Sequence, residues 1–212
     1  KEKLYAVNHV SFSLQKGECL GIVGESGCGK STLARMIAGI TPTSDGKVLL
    51  EGKDYIGLKG GEKRRFRRNI QMVFQDPLSS FSPRMKVGTY LMEARRNFDG
   101  ISKAEGLKEV GRLLQEVGLP EEFVSRYPHE LSGGQLQRVA IARAISIQPK
   151  LLICDEATGA LDVSIQNQIA QLLVKLVEEK NIGCLFIGHD LALVRSVSQR
   201  IAVMYLGRIV EL

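Results

Sequence analysis

A glycine-rich segment near the N-terminus has the residue types that hold phosphate. It reads GESGCGKST and comprises Gly24, Glu25, Ser26, Gly27, Cys28, Gly29, Lys30, Ser31 and Thr32. Glycines let backbone N–H groups point inward at phosphate oxygens, and a following helix adds the positive end of its dipole. Lys30 would place its charge on the β and γ phosphates, Ser31 would offer a hydroxyl to Mg²⁺, and Thr32 would reach the α phosphate. The apolar run before the segment and the helical spacing after it predict a nucleotide site rather than a chance turn.

Two adjacent acids end an apolar run in the second half of the chain. The run reads LLICDE and ends at Asp155 and Glu156. Sheets of α/β proteins place their working residues at the carboxyl ends of buried strands. Asp155 would hold Mg²⁺ through water, since Mg²⁺ keeps part of its hydration shell. Glu156 would orient the attacking water or accept its proton, so the pair predicts hydrolysis of the nucleotide.

A second segment suited to anions reads LSGGQ, and its Leu131 stands 20 residues before Leu151. Its remaining residues are Ser132, Gly133, Gly134 and Gln135. The S-x-x-Q pattern is a capping box, which predicts an exposed glycine pair at a helix N-terminus. One chain needs one phosphate cradle per ATP, so a second cradle predicts a head-to-tail dimer with ATP held between subunits. Taken alone the pattern would be an ordinary helix cap, but its spacing to Asp155 favours a nucleotide contact.

Two single polar residues also follow strand-like runs. Gln75 follows Ile70–Phe74, and its amide would reach Mg²⁺ and the water. His189 follows Leu185–Ile187 and would donate to the γ phosphate or contact the catalytic water. An isolated histidine is more often structural, and His9 and His129 are interpreted that way. The place of His189 at a strand end favours a functional role.

These residues must be positioned by strand-length apolar runs that alternate with helical segments. The runs are Cys19–Val23, Ile70–Phe74, Leu151–Cys154, Cys184–Ile187 and Ile201–Tyr205. Such continuous runs are typical of strands buried on both faces of a parallel sheet. Partial alternation predicts a half-exposed antiparallel strand through Val7, Val10, Phe12 and Leu14, and Gly46–Gly52 is a second candidate. We therefore expect an α/β core with a parallel central sheet and an antiparallel β subdomain near the N-terminus.

The stretch between Phe74 and Leu151 has helical spacing instead. Ser102 and Glu105 form a capping box, and one helical face then follows through Leu107, Val110, Leu114 and Val117, before Gly118. This predicts a helical subdomain, about residues 76–150, inserted into a single domain of residues 1–212. The basic run of residues 63–68 is interpreted as a solvated helix face rather than a nucleic-acid patch.

Composition excludes little. The chain has 212 residues, of which 44% are hydrophobic and 25% charged, and a formal net charge of +6. That charge suits nucleic acid, an anionic membrane surface or nucleotide phosphates alike. Four scattered cysteines without a CxxC pair predict neither a disulfide nor a zinc site. No apolar stretch approaches the roughly 18 residues of a membrane span, the start KEKLYAV lacks a signal-peptide core, and we expect a soluble segment of a longer protein.

With these motifs in order, the chain resembles the nucleotide-binding subunits of ABC transporters over nearly its whole length. The segments VFQDPLSSFSPRMKVG, RYPHELSGGQLQRVAIARA and MYLGRIVE are similar to those of the oligopeptide, dipeptide and nickel importer group, and SPRMKVG resembles the F-type ATPase of the pair. The resemblance implies ATP and Mg²⁺ as cofactors. It implies that Gln75, Glu156 and His189 are catalytic, and that the metal is held by Ser31, Gln75 and Asp155. Asp162 would belong to the loop that communicates between subunits.

The resemblance also implies partners and a location. These are a second ATPase subunit, identical or of the related D type, two membrane-spanning permease subunits, and indirectly an extracytoplasmic solute-binding protein. The chain would lie peripherally at the cytoplasmic face of the membrane and drive import of peptides or nickel. A soluble ABC ATPase acting on nucleic acid is the alternative, although such proteins usually carry coiled-coil or zinc insertions or tandem cassettes. A kinase with the same phosphate loop would leave LSGGQ unexplained.

The chain departs from the family pattern at several positions. It reads DEATGALD where the family usually has DEPTSALD, so Ala157 and Gly159 replace proline and serine. Gly188 stands where serine or threonine commonly precedes the histidine. These changes predict altered communication between subunits rather than loss of hydrolysis. The family's adenine-stacking aromatic would lie at or before the first residue, and Tyr5 is the substitute candidate.

Overall fold

The sheet that positions the predicted site runs through the middle of the part that the computed structural model describes, residues 5–159 and 161–212. Residues 1–4, where the expected domain begins, and Ala160 of the ALD segment lie outside this part. The strands β1 to β8 are Cys19–Val23, Leu49–Leu50, Lys53–Asp54, Ile70–Val73, Leu151–Asp155, Gly183–Ile187, Arg200–Tyr205 and Arg208–Glu211. The helices α1 to α7 are Lys30–Ile37, Gly60–Asn69, Val87–Asp99, Lys103–Glu116, Gly133–Ile145, Val163–Lys180 and Leu191–Val197. Short 3-10 helices lie at Pro77–Ser80, Glu121–Ser125 and Pro128–Glu130.

Six strands form the central sheet in the order β4-β5-β6-β1-β7-β8. The first five of these are mutually parallel, and β8 runs antiparallel to β7 at the edge. All residues of β1 and β6 are buried. The five predicted apolar runs are therefore confirmed as parallel strands, and their carboxyl ends meet at one edge of the sheet.

Successive residues of each strand face two different layers of core. Leu152 and Cys154 belong to a cluster with α3, α5, α6 and α7, whereas Ile153 between them belongs to a cluster with α1. The alternation follows from the pleat of a strand, whose side chains point to opposite faces. A strand buried on both faces in this way needs apolar residues at every position, which explains the continuous runs.

The prediction of a strand through Val7 and Leu14 is wrong. Residues 5–18 contain no assigned strand, although Val7, Val10, Phe12 and Leu14 are half-buried against the α1 side of the core. A backbone bond from this segment, the Asn8 N–H to the Gly207 carbonyl, spans 2.7 Å. Alternating burial shows that one face of an extended segment meets the core, and it does not require a ladder of hydrogen bonds. Near the N-terminus the antiparallel pair is β2 with β3, inside and just after the second candidate segment.

Helices α3, α4 and α5 occupy the chain between β4 and β5, as predicted. The Ser102–Glu105 capping box is present at the start of α4, and Gly118 follows its end with φ of 71°. Leu107 is a correction, because its side chain is 42% exposed. The buried residues of α4 are Gly106, Val110, Gly111 and Leu114, so the packed stripe runs through positions four apart and passes beside Leu107. Among the described residues, none of the helices combines the length and apolarity that a membrane crossing needs.

Gly21 tests how closely α7 packs on the sheet, and Gly61 in α2 serves as the control. A Cβ atom added at Gly21 of β1 would lie 2.3 Å from Cγ1 of Val194, while one at Gly61 of α2 would meet nothing within 4 Å. We predict that Gly21→Ala lowers the free energy of unfolding by about 1–3 kcal/mol, because it overpacks the core. Gly61→Ala should raise it by about 0.5–1 kcal/mol, because alanine favours the helix. Urea unfolding of both variants measures the difference, and equal effects would contradict the packing described here.

Candidate nucleotide-binding site

The phosphate loop joins the end of β1 to the start of α1, which is the strand-loop-helix context that its sequence predicts. Gly29, the residue before α1, has φ of 107°, a left-handed conformation that favours glycine. Its space is also restricted, since an added Cβ would lie 2.1 Å from the Ala6 carbonyl oxygen. At Gly24 an added Cβ would lie 2.1 Å from the carbonyl oxygen of Met204, at the end of β7. The loop therefore packs against the rest of the chain at Gly24 and Gly29, while Glu25, Ser26 and Gly27 are exposed.

Lys30 is folded back into this loop. Its side chain is buried, and its Nζ donates to the carbonyl oxygens of Gly24 and Glu25, both at 2.8 Å. These bonds satisfy a charged group that would otherwise be costly to bury. The ammonium group thus lies inside the concavity of the loop, where phosphate oxygens could take over the role of the two carbonyls.

A hydrogen bond joins the phosphate loop to the acidic strand end. The Ser31 hydroxyl donates to Oδ1 of Asp155 across 2.8 Å, which ties α1 to the last residue of β5. Asp155 is only 6% exposed. Burial raises the pKa of the Asp155 carboxyl, as does Glu156, while the Ser31 bond and the charges of Arg35 and Lys30 act in the opposite direction. Sequence reasoning missed Arg35, although it lies four residues after Ser31 on the same side of α1.

Glu156 leaves the strand in an unusual conformation. Its φ is 49°, in the left-handed region, and its N–H donates to the Ile187 carbonyl across 3.0 Å. The turn then closes with the Gly159 N–H donating to the Glu156 carbonyl at 2.9 Å. Ile187 is the last residue of β6. The turn after β5 therefore begins beside the residue that directly precedes Gly188 and His189.

Gln75 and His189 meet at Gly159. A Cβ added there would lie 3.6 Å from Cε1 of His189 and 3.7 Å from Nε2 of Gln75, both ordinary contacts. The position where this chain departs from the family's serine is thus the point on which two predicted site residues converge. Nothing in the sequence signals this convergence, because the three residues come from separate connections at the sheet edge. Gly188 has a packing reason of its own, since a Cβ there would lie 2.8 Å from Cγ2 of Val194.

The capping box predicted in LSGGQ is present at the start of α5. The Gln135 N–H donates to Oγ of Ser132 at 3.3 Å, and the Ser132 N–H donates to Oε1 of Gln135 at 2.9 Å. Ser132 and Gly133 are exposed. The glycine pair packs toward Leu161 and Ile165, whereas the phosphate loop packs toward Ala6, Met204 and Asp155. The capped start of α5 and the phosphate loop therefore rest on different parts of the chain.

Asp162 and Tyr5 are the two remaining residues that the sequence predicts for the site. Asp162 is the exposed residue before α6, and among the described residues its carboxylate makes no capping bond to that helix. Tyr5 is 60% exposed, and its carbonyl oxygen would lie 3.1 Å from a Cβ added at Gly207. Its backbone therefore runs along the β7–β8 turn beside the phosphate loop, and its contact with adenine stays a prediction.

Comparison with known proteins identifies the family of this chain. Residues 7–159 match the family model described as ABC transporter, so the chain belongs to that family. The predicted resemblance to its peptide-importer ATP-binding subunits is confirmed at the level of sequence. The chain is 52% identical over 207 residues to the probable peptide ABC transporter ATP-binding protein y4tS of Sinorhizobium fredii, covering 98% of this chain and 59% of that protein. It is 50% identical over 210 residues to the oligopeptide transport ATP-binding protein OppF of Salmonella typhimurium, covering 99% and 63%.

Solved structures share the fold over the whole described chain. The dimeric structure of MJ0796, a bacterial ABC transporter cassette, has a TM-score of 0.88 and 31% identity, covering 100% of this chain and 91% of that one. A post-hydrolysis state of the same ATP-binding cassette, bound to ADP and Pi, matches equally well. The predicted fold class is therefore confirmed. The chain spans about three fifths of the length of the two curated relatives, 59% and 63%.

The raised pKa of Asp155 predicts a pH-dependent effect on stability. A carboxyl that holds its proton more tightly when folded loses stability as pH rises from its unfolded pKa, about 3.9. Asp155→Asn, which keeps an acceptor for Ser31, should therefore stabilise the nucleotide-free chain near pH 7.5. The gain should shrink as the pH falls towards 4, because the carboxylate charge that burial opposes is progressively lost. Chemical unfolding at both pH values checks this, and a variant that loses stability equally at both would contradict it.

Proposed function

We propose that the chain is the ATP-binding and hydrolysing part of a bacterial ABC importer for peptides, and that closure of an ATP-bound dimer drives its membrane subunits. The observation that supports this most directly is the Ser31–Asp155 bond, with buried Lys30 beside it. It brings the phosphate loop and the two acids to one edge of the sheet. The names of the relatives speak of peptides and oligopeptides. Import of nickel stays a prediction from sequence resemblance.

ATP fits the loop through its phosphates. The loop from Gly24 to Thr32 would supply N–H donors, and Lys30 would exchange its two carbonyl partners for β and γ phosphate oxygens. The Ser31 hydroxyl and the Asp155 carboxylate are the hard oxygen ligands that Mg²⁺ prefers, and Gln75 would add an amide oxygen. When bound, this ion would neutralise part of the phosphate charge. Binding would also offset the cost of the buried Asp155 charge.

Hydrolysis would take place between the strand ends and Gly159. Glu156 would orient a water molecule and accept its proton, from a backbone position fixed by its bond to Ile187. His189 would donate to the γ phosphate, and Gln75 would position the water from the opposite side. Both side chains approach Gly159, where an added Cβ would make ordinary contacts with each of them.

The capped start of α5 would complete the site of another subunit. Ser132, Gly133, Gly134 and Gln135 would meet the γ phosphate bound by the partner, with Asp162 near the contact. The dimeric form of the structurally similar cassette supports this arrangement. The partner would be a second copy or a related subunit. Two permease subunits, reached through the surface around Gln75 and residues 76–100, would hold the complex at the cytoplasmic face of the membrane, with the solute-binding protein acting from the other side.

The basic run does not favour a nucleic-acid ligand. No residue of α2 is buried, and several of its arginines bind other parts of the chain. Arg68 pairs with Asp99 at 3.0 Å, and Arg67 donates to the Gly39 carbonyl at 3.2 Å. These contacts fasten α2 to α3 and to the segment after α1, and Arg68 already has a carboxylate partner within the chain.

The role of Glu156 yields a direct prediction. Glu156→Gln should bind ATP as the wild type does, hydrolyse it at least about a hundredfold more slowly because the base is lost, and accumulate as an ATP-bound dimer. Steady-state ATPase assays and size-exclusion chromatography with ATP measure both effects. Glu178→Gln, at an exposed position of α6, is the control and should behave as the wild type. Rapid hydrolysis by the Glu156 variant would rule out its assignment as base.

A further inference from the structure

Gly134 is a glycine without a backbone reason. It lies in the first turn of α5 with a negative φ, unlike the glycines with positive φ elsewhere in the described chain. Glycine in a helix is less favourable than alanine, because its backbone loses more freedom on folding. At Gly134 a close contact accounts for the missing side chain.

That contact is with the helix α6. A Cβ added at Gly134 would lie 2.6 Å from Cγ2 of Ile165, well inside van der Waals contact. At Gly133 the corresponding atom would lie 3.2 Å from Cδ2 of Leu161. The methyl group of Ile165 therefore occupies the notch that the missing side chain of Gly134 leaves.

Ile165 has little freedom to move out of this notch. It is half-buried and packs against the main core cluster, and Ile169, one turn further along α6, is completely buried. A β-branched side chain in a helix is largely restricted to one χ1 rotamer. A hydrogen bond between Arg138 of α5 and Gln168 of α6, 3.2 Å long, holds the same pair of helices together.

We infer that Ile165 is a positioning residue, whose Cγ2 methyl sets the direction in which the N-terminus of α5 faces the partner's nucleotide. This inference rests on the proposed function. Because α6 begins after the segment that follows Glu156, the contact also links each subunit's own hydrolytic strand end to the cradle that it offers its partner. Residue 134 must then lack a side chain because of packing within its own chain, and not because the nucleotide approaches it closely.

A rescue experiment separates these two reasons. In the full chain, Gly134→Ala should lower kcat for ATP about tenfold or more through overpacking, with KM little changed because the phosphate loop is intact. Adding Ile165→Leu removes the Cγ2 branch at constant volume and should restore most of kcat. Adding Ile165→Val keeps that branch and should restore little. A Leu double variant as slow as Gly134→Ala, or equal recovery with Leu and Val, would overturn the inference.

Stability measurements test the contact without relying on ATPase activity or on the proposed function. Unfolding free energies should show favourable coupling between Gly134→Ala and Ile165→Leu, and additive effects would count against the contact whether or not the chain hydrolyses ATP. In a chain that keeps Gly134, the single substitution Ile165→Ala should lower kcat and weaken ATP-driven dimerisation. Leu172→Ala, also half-buried on α6 two turns on, should cost comparable stability without that loss. If wild-type chain does not turn over ATP, the proposed function fails while the coupling still tests the contact.

Discussion

The bond between Ser31 and Asp155 is the interaction on which the rest of the site depends. It joins the helix that follows the phosphate loop to the end of a strand far along the chain. Asp155 is buried, which raises the pKa of its carboxyl, and Ser31, Arg35 and Lys30 oppose that effect. Burial makes the charged form of this acid costly, and Mg²⁺ bound with the proposed nucleotide would favour that form.

Parallel topology then determines what surrounds this bond. Because β5 pairs with β4 and β6, the residues that follow all three strands emerge side by side. Gln75, Glu156 and His189 come from these three exits, and the side chains of Gln75 and His189 converge beside Gly159. The capped start of α5 rests instead on α6. The phosphate loop and the capped start of α5 therefore rest on different parts of the chain, and the proposed dimer would bring one of each together.

The sequence predicted those parts that depend on local pattern. Strands buried on both faces are continuously apolar, so β1 was located to the residue, and both capping boxes were recognisable from four residues each. Prediction from the sequence failed where packing against distant residues determines the local structure. Val7 and Leu14 alternate as a strand would but lack ladder partners, β8 was missed as a strand, and Leu107 lies beside the packed stripe of α4. The fit of Ile165 against Gly134 could not be foreseen, since it depends on how α6 crosses α5.

The central claim is that one chain holds an incomplete ATP site. The most direct test is the ATPase activity per mole of the full chain, measured over a wide range of concentration, with and without its co-purified partner subunit. This specific activity should rise with concentration, or with added partner, and reach a plateau when the dimer is formed. A specific activity that stays constant down to high dilution, in a chain shown to be monomeric with ATP bound, would contradict it.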